Sequence, residues 1–162
     1  MQDRTIINMT IDLEDFFQLK VPAIINNIKG DEPAIWGIMT VHHMIEHLVL
    51  PLNFAIGTMP ITLMISEEKI PKQLEYLFST NGMPKNFKPA FLPTDKTIPL
   101  VHHSLEESKQ YLINTVTIFL ETIHKPDFTT KLNPFYGELN KNGWLTFQYK
   151  HFAHHFMQFG LM

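Results

Sequence analysis

The chain has 162 residues, 44% of them hydrophobic, with 9 histidines, no cysteine and a formal net charge of −3. That length suits a single domain, 1–162, with a real core, and the lack of cysteine excludes disulfides, cysteine nucleophiles and zinc–cysteine sites. No basic stripe favours nucleic acid. The opening MQDRTIINMT lacks the apolar run of a signal peptide and no apolar run reaches membrane-spanning length, so the expectation is a cytoplasmic protein with no membrane or nucleic-acid partner.

The first helix is predicted from Thr10 to Lys29. Thr10 can cap it, Asp12, Glu14 and Asp15 suit its positive end, and Phe16, Phe17, Leu19, Ile24 and Ile28 supply apolar surface. Pro22 predicts a kink, and Lys29-Gly30 a stop. After a connector with Pro33 and Gly37, Thr40 caps a second helix that reaches about Ala55. Its apolar face is Val41, Met44, Ile45, Leu48 and Leu52. On the helical wheel His47 borders Met44, at the core edge, whereas His42 and Glu46 lie toward the opposite side with His43 between. His42 and His43 read as solvated surface. Pro51 cannot donate to the His47 carbonyl, so the helix is expected to open or bend there.

Thr58 to His103 is a long connection holding Pro60, Pro71, Pro84, Pro89, Pro93 and Pro99. Ser66–Phe78 reads as a short helix, Asn86–Pro99 as extended loop of the kind that covers sites, and His102 and His103 as surface. Ser104-Leu-Glu-Glu107 is a capping box. It opens a third main helix, to about His124, with Leu105, Leu112, Val116, Phe119 and Ile123 as its stripe. Glu121 and His124 have the spacing of a carboxylate-bridged metal motif, but no second copy exists, and His124 reads better as a helix-end histidine. Asp127–Gly143 reads as loop, after which Asn140 or Asn142 starts the last helix.

That helix, Trp144 to Gln158, has no Pro or Gly. Leu145, Tyr149, Phe152, Phe156 and Phe159 share one stripe. Trp144, Phe147, Gln148, His151, His155 and Gln158 form a second beside it. His151 and His155 are one turn apart on one face and point inward; His154 falls on the Lys150 side and borders solvent. Four main helices with almost no strand pattern predict an all-α four-helix bundle. The long connection between helices two and three predicts an up-down-down-up order.

Three imidazoles at a core edge need partners, because an unsatisfied buried polar group costs about 1–3 kcal/mol against a whole-domain stability of about 5–15 kcal/mol. One histidine from helix two, His47, and the pair His151 and His155 make a three-nitrogen metal site with a position left open. Imidazole ligation suits zinc, nickel, copper or iron.

The sequence resembles the DinB-like (YfiT-like) metalloenzymes, in a branch of unknown function. The resemblance runs through Trp36-Gly37-x-Met39-Thr40, Met44-x-x-His47, Asn133-Pro134-Phe135-Tyr136-Gly137-Glu138-Leu139 and Tyr149-Lys150-His151-x-x-x-His155-x-x-Gln158-Phe159-Gly160. It covers roughly Trp36 to Gly160 and is weakest in the proline-rich middle. It implies a four-helix bundle with a left-handed crossover and a divalent metal on His47, His151 and His155, the same three as the wheel. The branch usually has histidine where this chain has Asn133, which can hydrogen-bond but cannot act as a base near neutral pH. Trp36, Asn133, Tyr136, Trp144 and Gln158 are candidates for a pocket or for supporting the ligands. For the aromatics a core role is at least as good a reading.

Related families include transferases that use low-molecular-weight thiols such as bacillithiol or mycothiol. The leading expectation is therefore a metal-dependent thiol S-transferase acting on a small-molecule substrate, with the metal lowering the thiol pKa. The alternatives are a metal-dependent hydrolase and a non-catalytic metal-binding bundle, with a homodimer as the candidate assembly. A metal-free bundle whose histidines satisfy one another is the plainest reading.

Overall fold

The computed structural model describes residues 13–85 and 96–162. The predicted cap at Thr10, the acid at Asp12 and the middle of the long connection lie outside these. The described chain is mostly helical, with one small two-stranded sheet. None of its helices is long and apolar enough to cross a membrane.

Helix α1 is a π-helical turn, Phe16–Lys20, that runs directly into an α-helical segment, Val21–Asn27. The Val21 N–H donates to the Phe16 carbonyl, five residues back. Pro22 follows at once, with no N–H to give. The expected kink at Pro22 takes this form, because a widened turn makes room where the proline ring would press on the preceding carbonyls.

Helix α2, Val41–Ile56, is capped by Thr40, whose side chain accepts from the His43 N–H at 3.2 Å, and it closes at Gly57 in the left-handed conformation. It continues through Pro51 to Ile56, so Pro51 does not end it. A 3-10 turn, Glu67–Lys69, leads into short α3, Ile70–Leu77. Helix α4, Leu105–Ile123, starts with the capping box of Ser104 and Glu107. Helix α5, Lys141–Gln158, is capped by Asn140, which accepts from the Gly143 N–H at 2.9 Å.

The region expected as loop between α4 and α5 holds a hairpin instead. Strands β1, Lys131–Asn133, and β2, Gly137–Leu139, pair antiparallel with Asn133 opposite Gly137. Three-residue strands are too short for an alternating pattern to show in the sequence.

Helix α5 is the centre of the packing. Trp144, Leu145, Phe147, Gln148, His151, Phe152, His155, Phe156 and Gln158 are all buried, and a helix covered on nearly every side has neighbours on nearly every side. Phe16 and Phe17 of α1 meet Tyr149 and Phe152 edge-on at 4.9 and 5.3 Å. The Gln148 amide donates to the Pro51 carbonyl of α2 at 2.9 Å. Lys150 reaches the carbonyls of Tyr76, Ser79 and Asn81 at the end of α3, at 3.1, 2.8 and 2.7 Å.

Contacts also give the helix directions. Helices α2 and α4 lie along one another. His42 meets Ser108 near both starts, and Ile56 and Thr122 line one surface groove near both ends. The two run the same way. Helix α1 runs against α4, with Glu14 paired to His124 and the Ile28 carbonyl held by Lys109. Helix α5 runs against α2, since its end meets Trp36 and its middle meets His47 and Pro51.

Candidate metal centre

Helices α2 and α5 cross where His47 faces His151 and His155. His47 follows Met44 by one turn at the margin of the α2 core face, as its place on the wheel predicts. His151 and His155 are buried on α5, with 8% and 7% of their surface exposed. Ring centroids are 4.9 Å apart for His47 and His151, 4.7 Å for His47 and His155, and 4.8 Å for His151 and His155. The three rings thus form a near-equilateral triangle. Among the described residues, these three side chains bring ligand atoms within 4.8 Å of one another, in an arrangement able to hold a metal ion.

Burial sets the charge state. His47 is pushed down to about 4 and His155 to about 3, mainly by desolvation and then by neighbouring imidazoles. His151 is driven well below the ordinary histidine value, again chiefly by burial. All three are neutral at neutral pH, which is the form that binds metals.

The hydrogen bonds fit the same use. The Nε2 atoms of His47 and His151 approach to 3.0 Å. A tetrahedral ion about 2.0–2.1 Å from each nitrogen holds its ligand atoms roughly 3.3 Å apart. His155 Nδ1 lies 2.7 Å from Gln158 Oε1, an acceptor, so Nδ1 carries the proton and Nε2 offers a lone pair. Phe147 lies parallel to His151, with centroids 6.0 Å apart and planes 4° apart. The buried His151 Nδ1 has no hydrogen-bond partner among the described residues.

The other candidates separate into supporting and core residues. Gln158 supports His155 directly, and its own amide donates to the Trp36 carbonyl at 2.8 Å. Trp36 borders the site through that carbonyl and through its ring, which meets His154 at 5.5 Å and lies 4.6 Å from the Lys85 ammonium. Tyr136 meets Phe147, the ring stacked on His151, at 5.6 Å. Trp144 is fully buried and donates to the Lys131 carbonyl at 3.2 Å, a core position one turn from Phe147. Asn133 is fully buried in the hairpin, where its Oδ1 accepts from the Phe135 N–H at 2.9 Å.

His154 borders solvent as expected, half-buried against Trp36 of the connector before α2. Two surface readings require correction. His42 and His102 are partly buried, gathered around Glu46. The Glu46 carboxylate accepts from the Val101 and His102 N–H groups at 2.8 and 2.9 Å and from the Ser108 hydroxyl at 2.9 Å. His42 Nε2 lies 2.8 Å from the Ser108 hydroxyl, and His102 Nδ1 3.2 Å from Glu46. Packing of α4 and the segment before it covers a face that α2 alone would leave wet.

Phe147 and Lys150 had no functional reading in the sequence. The signal for Phe147 was its place on the histidine stripe, and for Lys150 its place inside the resembling Tyr149-Lys150-His151 motif. Comparison of the chain with protein-family models, with curated proteins and with solved structures finds no match.

Proposed function

We propose that this chain is a DinB-like metal-binding protein in which His47, His151 and His155 hold a divalent ion, zinc, nickel or iron. The observation that carries this reading is the convergence of three neutral imidazoles, His47 partly buried and His151 and His155 buried, from two helices on one point. Three unprotonated imidazoles whose ring centroids stand within 4.9 Å of one another present lone pairs that a shared ion would satisfy.

The accompanying fold is a four-helix bundle of α1, α2, α4 and α5 in up-down-down-up order, crossed over between α2 and α4. The helix directions above support it. The reaction is metal-dependent transfer to or from a low-molecular-weight thiol on a small-molecule substrate. A bound ion would supply a lowered thiol pKa and a thiolate nucleophile. The residues present would orient the ligand rings, through Gln158 on His155 and Phe147 on His151, and keep them unprotonated. The nearest acid in sequence, Glu46, is committed to Val101, His102 and Ser108. That favours thiol chemistry over hydrolysis, which needs a base to manage water. Asn133 holds the hairpin turn, a structural use of the position where the resembling branch carries histidine.

The test is the metal content of untagged protein purified without chelator. Near-stoichiometric metal is expected in the wild type and in His154→Ala, with loss in His47→Ala and His155→Ala. A wild type that retains no zinc, nickel or iron after reloading sinks the reading. A thiol-transfer screen against electrophilic acceptors follows, with hydrolysis of simple esters and amides as the competing outcome.

A further inference from the structure

The geometry points to Gln158 as a positioning residue that sets the tautomer of His155 and ties the metal centre to the connector at Trp36 and Gly37. This rests on the proposed metal site and extends it to the chain that precedes α2.

The donor and acceptor chain runs one way. The Trp36 carbonyl can only accept, so the Gln158 atom 2.8 Å from it is the amide nitrogen. The amide oxygen therefore faces His155 Nδ1 at 2.7 Å. An amide oxygen can only accept, so Nδ1 carries the proton and Nε2 is left bare toward His47 and His151. A backbone carbonyl on the connector thus dictates which nitrogen of His155 is free to ligate. The same partner arrangement is used generally to orient metal-bound histidines.

The connector is docked to make this possible. The Ile35 N–H donates to the Gln158 backbone carbonyl at 2.7 Å, so both ends of Gln158 are engaged by consecutive connector residues. Gly37 has φ +82, and a Cβ there would stand 2.8 Å from Gln158 Nε2. Any side chain at 37 would be strained in that backbone conformation and would push the amide off the Trp36 carbonyl. The glycine is the clearance for the relay. Since connector docking fixes the ligating tautomer, metal binding in turn stabilises the docked connector.

The experiment compares the full chain with Gln158→Leu, Gln158→Glu and Gly37→Ala. Zinc affinity is measured by competition with a chromophoric chelator, and the His155 tautomer by 15N NMR of the metal-free protein. Gln158→Leu is expected to weaken zinc binding about 10- to 100-fold and to give mixed His155 tautomers. Gly37→Ala is expected to weaken binding in the same direction with every ligand intact. Gln158→Glu keeps an acceptor for Nδ1 and is expected to restore a single tautomer and most of the affinity. If Gly37→Ala does not fold, the two Gln158 variants decide. Wild-type affinity and a single unchanged tautomer in Gln158→Leu would overturn the positioning role and leave the metal reading standing. A wild type that binds no zinc would overturn the metal reading and, with it, the link to metal affinity, and the NMR readout would still decide the tautomer relay.

Discussion

The Nε2 atoms of His47 and His151 face each other at 3.0 Å, from residues 104 positions apart in the chain. At that distance one nitrogen must donate and the other accept. Two bare lone pairs would repel, and two N–H groups would clash. For both rings to hold an ion through Nε2, the ring that donates here would have to carry its proton on Nδ1 instead.

Removing either ring leaves the other as a buried imidazole without its partner. His47→Ala and His151→Ala are each expected to cost about 1–3 kcal/mol in the presence of chelator. The double variant should cost less than the sum, because the second change removes the orphan created by the first. Denaturant unfolding of the four proteins checks this. Strict additivity would mean that the contact has no energetic weight.

Stability of the metal-free protein should fall in acid. His47 and His155 are lowered to about 4 and about 3 by burial, against an unfolded value near 6.5. Below about pH 6.5 the unfolded chain takes up protons that the folded chain refuses. Folding therefore weakens as pH drops from about 6.5 toward 3, by on the order of several kcal/mol for the pair. Above about pH 6.5 these two groups add no slope. Unfolding curves at pH 7.5, 6 and 5 with chelator are the measurement, and His155→Ala should flatten part of the decline.

Glu46 separates structure from metal binding. Glu46→Ala removes the acceptor for two backbone N–H groups and for Ser108, and a loss of about 1–3 kcal/mol is expected. Metal content should match wild type, since Glu46 faces away from the three histidines. A variant that folds but loses its metal would place Glu46 in the site.

Lys150 holds the end of α3 through three carbonyls. Lys150→Met keeps an unbranched side chain one atom shorter and removes the charge and its three donors. Faster hydrogen exchange is expected at residues 76–82, with a drop of roughly 1–3 kcal/mol, while α2 and α4 exchange as before. Unchanged exchange at α3 would show that the lysine contacts are incidental.

Much of this was legible before folding was considered. Thr40, Ser104 and Asn140 mark helix starts by chemistry that is local: a side-chain oxygen within reach of an N–H three residues on. His151 and His155 declare themselves by spacing, and His47 by its place beside Met44. Elsewhere the local signal was too weak or pointed the wrong way. The three-residue strands around the Asn133 turn are shorter than any periodicity that could reveal them. Pro51 suggests a break, but burial of Leu52 and Ala55 and the bond from Gln148 to the Pro51 carbonyl hold the helix together.

The sequence by itself determined the main helices, the caps at Thr40 and Ser104 and the apolar faces of the helices that follow them, because those follow from contacts within a few residues. Only the tertiary structure decided what meets those faces. It brought His47 to His151 across 104 positions, buried His42 and His102 around Glu46, laid Trp36 on His154, and set the carbonyl of Trp36 against Gln158. Each of these depends on the approach of elements far apart in the chain. A helical wheel shows which way a side chain points, and only packing shows what it finds there.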